Sequence, residues 1–190
     1  MLPKLYEDQD CSLARTLEII GERWTMLVVR DAFYGVRRFG DFHTHLGIPK
    51  AVLADRLRLL TQHGLLAREA DSEHVKRFVY RLTDKGAELW PAVHALRVWG
   101  EQHAPSPGGA RRIFRHVRCG GQLDARGDCR RCRKTVRAFD VVAEPGPGLT
   151  DRPTADPVTV ALRQPHRLCH RLDTTPAAGQ VDAADTVHAG

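Results

Sequence analysis

The sequence predicts a mainly α-helical fold with one small β-hairpin, followed by a small cysteine-rich β module and a flexible tail. Apolar residues recur at helical spacing through most of residues 12–102. Two short runs typical of β-strands, separated by a polar stretch, interrupt that pattern at residues 65–82. Three cysteines cluster further on. The expected division is a first domain at 1–103, a ribbon-like module at 111–144 and a partly disordered tail at 149–190.

The first three helices follow from caps and apolar spacing. Ser12 is a plausible N-cap for a first helix that ends at Gly21. Glu22–Phe33 is so apolar that it predicts a central, buried helix. A short third helix at Phe39–Leu46 is followed by Gly47, which suits a left-handed C-cap.

The fourth helix and the hairpin follow directly. Pro49 fits the first turn of a helix that ends near Gly64. The runs Leu65–Ala70 and Phe78–Leu82 read as two strands around a polar turn at 71–76. Thr83 can cap a last helix reaching about residue 102, with a kink at Pro91. Its two tryptophans, together with the first helix, predict a dimer interface.

Two helices that meet at a Gly-Ile-Pro turn and are followed by a hairpin predict a winged helix-turn-helix. That unit places a recognition helix, about residues 49–63, in the major groove of DNA. The wing, about residues 71–77, would lie on the flanking backbone or in the minor groove. The expected DNA-contacting residues are Arg37, Arg38, Lys50, Ala51, Ala54, Asp55, Arg56, Arg58, His74, Lys76 and Arg77.

Six motifs, in order, resemble the HxlR-type winged-helix regulators of bacteria, which are close to the MarR-type fold. They are the segments 11–18, 21–25, 37–42, 46–48, 53–57 and 80–86. The resemblance implies a homodimer on a near-palindromic operator that represses or activates transcription. Where the family often has Asn and Ser, this chain has Ala51 and Ala54, which shifts base reading toward Lys50, Asp55 and Arg58.

The positive charge is concentrated after the winged unit. The chain has a net charge of +6, and residues 105–144 hold 10 Lys and Arg against 4 Asp and Glu, a net of 10 − 4 = +6. Such a segment either contacts DNA phosphates or forms a solvated charged face.

The cysteine cluster has the spacing of a metal site. His116, Cys119, Cys129 and Cys132 predict a closed, tetrahedral, structural zinc site. Two alternatives stay open: a three-cysteine site without His116, and a metal-free β-hairpin module.

Cys11 is a candidate sensor of oxidants or electrophiles, because many HxlR-type relatives have a cysteine there and it precedes a helix N-terminus near Arg15. The alternative is a small residue buried at an interface.

Trp24, Phe33, Trp90 and Trp99 are candidates for the lining of a small-molecule effector pocket; the alternative is that they form core, as aromatic residues at this spacing more often do. No catalytic set or phosphate loop is apparent, so an enzyme is not expected. The rival function is a protein-interaction module that docks through the ribbon. No signal peptide or membrane span is predicted, and the cytoplasm is the expected location.

Overall fold

The computed structural model describes residues 6, 8–71, 77–150 and 153–174. Four helices open the fold, and their bounds agree with the sequence prediction to within a few residues. The second helix starts three residues later than expected, after a turn at 22–24. The helices are α1 (Ser12–Ile20), α2 (Thr25–Phe33), α3 (Phe39–Leu46) and α4 (Lys50–Gln62).

The turn between α3 and α4 has the predicted geometry. Gly47 has a φ of 61°, in the left-handed region that glycine adopts without a steric penalty. Leu53, Leu57 and Leu60 are fully buried, so the inward face of α4 is fixed by packing. The outward face is therefore held in one orientation.

The wing is an antiparallel hairpin of β1 (Leu66–Ala70) and β2 (Phe78–Leu82), in which Leu66 pairs with Leu82. The prediction of one kinked helix after the wing is wrong. The chain forms a short helix, α5 (Asp84–Ala87), and a separate one, α6 (Trp90–His103). Pro91 lies in the first turn of α6, because a proline inside a continuous helix would remove a hydrogen bond and clash with the preceding turn.

A second sheet forms the ribbon module. Its strands are β3 (Arg112–His116), β4 (Val141–Pro145) and β5 (His166–Arg167), with β4 in the centre and both neighbours antiparallel to it. A 3-10 turn, Ala138–Asp140, precedes β4, and α7 (Pro157–Ala161) lies between β4 and β5.

The tail at 149–190 was expected to be partly disordered, but residues 166–174 pack against the first domain. Leu168 is fully buried, and the amides of Cys169 and Leu172 donate hydrogen bonds to the carbonyl oxygens of Phe33 (2.7 Å) and Gly35 (3.0 Å). A few well-spaced apolar side chains order this segment. A side chain at Gly35 would place its Cβ 1.8 Å from the carbonyl oxygen of His170, which shows how closely the segment packs.

The winged unit and the ribbon share one hydrophobic core. The indole ring of Trp90 lies between the rings of Phe33, at 5.6 Å, and Phe114 on β3, at 5.4 Å. The connection at 104–110 is also anchored, because the hydroxyl of Ser106 donates to the carbonyl oxygen of Gly148 at 2.8 Å. Among the described residues, the helices are too short or too polar to span a membrane.

Candidate nucleic-acid interface and metal centre

The outer face of α4 is uncovered. Lys50, Ala51, Ala54, Asp55 and Arg58 are all exposed, at the positions where the sequence pattern places the groove-facing surface. Nη2 of Arg58 is 3.2 Å from Oδ1 of Asp55, one turn away. The pair is exposed, so both groups can exchange this contact for another at little cost.

Arg56, one of the expected DNA contacts, packs along the protein instead of projecting from α4. Its Nη1 lies 3.8 Å from Oε2 of Glu22, in the turn before α2, and its side chain is mostly buried. Position 56 falls between the inward leucines and the outward face, so this arginine packs along the protein.

The flanking basic residues are partly engaged within the protein. Nη2 of Arg38 is 3.3 Å from Oδ2 of Asp71 at the base of the wing. Arg37 donates to the carbonyl oxygen of Cys169 in the C-terminal segment, at 3.4 Å. Arg77 is exposed. The predicted contacts His74 and Lys76 lie outside the described residues.

A buried carboxylate holds the two halves of the helix-turn-helix region together. Asp31 on α2 is fully buried, with Oδ1 2.7 Å from Nη2 of Arg30 and Oδ2 2.7 Å from Nδ1 of His45 on α3. His45 is therefore held against α2, with its side chain only 14% exposed. The available signal was an aspartate inside an otherwise apolar helix, because buried aspartates need partners.

The predicted metal ligands come together. The ligand atoms of His116, Cys119, Cys129 and Cys132 all lie within 4.8 Å of one another. Sγ of Cys119 is 3.4 Å from Nδ1 of His116 and 3.3 Å from Sγ of Cys129, and Sγ of Cys132 is 3.3 Å from Nδ1 of His116. These separations suit four ligands around one ion with bonds of about 2.0–2.3 Å.

The backbone around this cluster leaves space for the cysteine sulfurs and donates hydrogen bonds to them. An added Cβ at Gly121 would lie 2.5 Å from Sγ of Cys129. Any residue larger than glycine would therefore clash with that sulfur. The amides of Cys132 and Arg131 help to lower the pKa of Cys129 to about 6. His116 and Cys129 are buried, while Cys119 and Cys132 are half-buried. The donor set and its enclosure fit a metal ion that leaves no position for substrate.

The two other cysteines are in opposite environments. Cys11 is exposed at the N-cap of α1, where the amides of Ala14 and Leu13 lower its pKa. Cys169 is buried, and this burial raises its pKa to about 12. Only the first has the thiolate character that a reactive cysteine needs.

A mostly apolar cavity of about 280 Å³ lies between α2, α6 and β3. Of the four aromatic residues proposed for an effector pocket, Phe33 and Trp90 line it. Trp24 and Trp99 are not among its lining residues. Trp99 is exposed and packs on His103, and Trp24 lies under the guanidinium of Arg23.

Known proteins share this architecture. Residues 19–107 match the family model described as HxlR-like helix-turn-helix. The HTH-type transcriptional regulator Rv3095 of Mycobacterium tuberculosis, itself uncharacterized, is 44% identical over 137 residues, covering 72% of this chain and 87% of that protein. The sll1512 regulator of Synechocystis is 33% identical over 91 residues, which are 47% of this chain and 67% of that protein.

The likeness extends beyond the winged unit. The crystal structure of PA1607, a candidate transcription factor, is 36% identical with a TM-score of 0.55, and it covers 80% of this chain and 99% of that one. The protein is therefore a transcriptional regulator that belongs to the HxlR-like helix-turn-helix family.

Proposed function

We propose that the protein acts as a cytoplasmic homodimer that binds specific operator DNA, with α4 in the major groove and the wing on the flanking backbone or minor groove. The observation that carries the proposal is the division of α4 into a buried leucine face and an uncovered face. On the uncovered face, Lys50 lies in the first turn and Arg58 two turns later. A helix entering the groove N-terminus first would bring Lys50 closest to the bases.

A homodimer is supported by exposed apolar side chains on two helices. Leu13 and Leu17 on α1 are 64% and 41% exposed, and Leu96 and Trp99 on α6 are 59% and 62% exposed. A second copy that covers these residues would remove them from water, which stabilises association.

We further propose that the cluster of His116 and the three cysteines holds a structural zinc ion. Three thiolates and an imidazole are a donor set that zinc prefers. The ion would fix the turns around residues 116–121 and 129–134 and hold the ribbon in shape against α6. The ribbon also presents a basic surface suited to phosphate contact, comprising Arg118, Arg126, Arg130, Arg131, Arg133, Lys134 and Arg137, all of which are exposed.

The test is fluorescence anisotropy with the protein's own upstream DNA across a salt series. Lys50→Ala and Arg58→Ala should weaken specific binding and reduce the salt slope, because each removes a cationic contact to DNA. Lys85→Ala is the matched control, since this exposed lysine bonds to the carbonyl oxygen of His63 at the opposite end of α4. Binding equal to that of random DNA, unaltered by the first two variants, would refute the proposal.

A second candidate is regulation through oxidation of Cys11, which the lowered pKa and the exposure of this thiol favour. Treatment with hydrogen peroxide should change operator affinity in the wild type and in Cys169→Ser, but not in Cys11→Ser. An equal response in Cys11→Ser would exclude this cysteine as the sensor.

A further inference from the structure

The loop between β3 and β4 concentrates positive charge at residues 124–137, a segment that we call the basic loop. It holds six Lys and Arg against two Asp, a net charge of 6 − 2 = +4, whereas the whole 190-residue chain carries +6. All six cations are exposed, and they are Arg126, Arg130, Arg131, Arg133, Lys134 and Arg137. Because like charges repel one another, such a surface is stabilised when a polyanion binds to it.

The two carboxylates of the basic loop are used within the loop itself. Oδ1 of Asp124 accepts hydrogen bonds from the amides of Arg126, at 2.9 Å, and Asp128, at 3.0 Å. Asp124 also attracts the side chains of Arg126 and Arg130, and the amide of Asp128 and these two charges lower its pKa. Oδ1 of Asp128 accepts from the hydroxyl of Thr135 at 2.6 Å. Both carboxylates therefore brace the turn, and they offset only part of the positive charge.

The cationic side chains of the loop make few contacts with the protein. Arg131 donates to the carbonyl oxygen of Cys119 at 2.7 Å. The side chains of the other five cations form no hydrogen bond or salt bridge with the rest of the described chain. Elsewhere in the ribbon, by contrast, Nε of Arg115 lies 2.8 Å from Oε2 of Glu144. The surplus charge is therefore collected on one loop, with its donors facing water.

The backbone of the basic loop presents these side chains from a fixed frame. The amide of Cys129 donates to the carbonyl oxygen of Lys134 at 2.9 Å, and that of Arg133 to the carbonyl oxygen of Cys129 at 2.8 Å. Arg133 has a φ of 60°, in the left-handed region that favours glycine. A long cationic side chain at such a position is consistent with a use for that side chain. Because the frame is already ordered, little backbone freedom is lost when an anion binds.

The composition of the basic loop favours duplex DNA over other polyanions. The loop contains no Phe, Tyr or Trp, so it offers no ring on which the bases of a single strand could stack. None of its large apolar side chains is exposed, although a segment that binds a membrane surface inserts such side chains. Duplex phosphates need only exposed cations, and contacts to them carry no sequence information.

We propose that the basic loop is a second DNA-contacting surface, which binds duplex phosphates independently of sequence and adds to the affinity supplied by α4. The proposal rests on the proposed function and deepens it, because it names a further contact of the same regulator with DNA. The loop is attached to α6, where Nε2 of His94 donates to the carbonyl oxygen of Asp124 at 2.8 Å. Its contacts would therefore add to those of α4 and would not replace them.

The test separates charge from sequence. Fluorescence anisotropy of the full chain would compare its own upstream DNA with a shuffled duplex of equal length across a salt series. Arg126→Gln/Arg130→Gln/Arg133→Gln should weaken binding to both duplexes by about tenfold or more, and it should reduce the slope of log affinity against log salt by about 2–3. The ratio of the two affinities should stay the same in this triple variant, whereas Lys50→Ala should lower that ratio.

Three further variants serve as controls. The triple replacement of the same arginines by lysine should retain most of the affinity, because a phosphate attracts any cation held at that place. A matched triple removes an equal charge from arginines that are paired with a glutamate, and it should leave the slope nearly unchanged. Its substitutions are Arg15→Gln, Arg111→Gln and Arg115→Gln. Lys134→Gln/Arg137→Gln spares the turn at 129–133 and should reduce the slope by about 1–2 even if the first triple does not fold.

Several results would overturn the proposal. They are an unchanged slope in the folded loop variants, a loss no greater than in the matched triple, and a loss confined to the upstream DNA. Tighter binding of single-stranded than of duplex DNA, abolished by the loop substitutions, would overturn the choice of partner.

The two proposals fail separately. If the wild type binds both duplexes equally and the loop variants still reduce both slopes, sequence-specific regulation falls and the loop contact remains. If the wild type prefers its upstream DNA and the loop variants change nothing, only the loop contact falls.

Discussion

Removing the carboxylate of Asp31 should destabilise the protein severely. The side chain is fully buried and bonds to Arg30 and His45, so Asp31→Ala leaves a guanidinium and an imidazole without their shared partner. Breaking a buried ion pair from one side costs about 3–5 kcal/mol. The Arg30 side chain keeps 35% exposure and can recover some hydration, so we expect the lower end, about 3 kcal/mol.

Urea unfolding followed by circular dichroism would measure this loss as a shift of the midpoint. In a protein of this size, a loss of about 3 kcal/mol also corresponds to a Tm lowered by roughly 6–12 °C. Asp55→Ala is the matched control, since that exposed aspartate pairs only with Arg58 across one helical turn and should cost about 0.5 kcal/mol or less. A double-mutant cycle of Asp31→Ala with His45→Ala isolates the bond between α2 and α3. A coupling energy near zero, or a loss for Asp31→Ala no greater than for the control, would refute the reasoning.

Three further outcomes follow from local geometry. Gly121→Ala should lower the zinc content of the purified protein, measured by mass spectrometry of the metal, while Gly40→Ala, whose Cβ would meet nothing within 4 Å, should leave it unchanged. Burial lowers the pKa of His94, so the unfolded chain binds more protons as the pH falls. The free energy of unfolding should therefore decrease from about pH 7.5 to about 5.5, and His94→Gln should flatten that slope. In the native protein iodoacetamide should alkylate Cys11 well before Cys169, and the reverse order would contradict the assigned environments.

Local patterns in the sequence predicted the parts of the fold that local physics determines. The leucine stripe of α4, the left-handed Gly47 and the strand Phe78–Leu82 each follow from spacing or from one backbone requirement, and all three occur as expected. The cluster of His116, Cys119, Cys129 and Cys132 was also predictable, because tight turns bring closely spaced residues together. The order of residues 166–174 was not, since it depends on packing against Phe33 and Gly35, far away in the chain.

The candidate sites also combine features that local spacing predicts with features that depend on residues far away in the chain. The exposed positions of α4 follow from helical periodicity, whereas the inward lean of Arg56 depends on Glu22, which another segment supplies. Trp90 was expected with Trp99 at a dimer interface, but it is buried in the core. Helical spacing could not indicate that Phe33 and Phe114 would pack on its ring.

The helix α6 gives the proposed sites a physical connection. One side carries Leu96 and Trp99, which are exposed and available to a second copy of the chain. Trp90 and Arg97 line the cavity, and Nε2 of His94 donates to the carbonyl oxygen of Asp124 in the ribbon at 2.8 Å. Interiors are closely packed, so a change in the position of α6 would also shift the ribbon and the surface that Leu96 and Trp99 offer to a second copy. In the proposed dimer, the spacing of the two recognition helices would depend on that surface, and half-site recognition depends on the spacing. A change at α6 would therefore alter DNA affinity without touching α4.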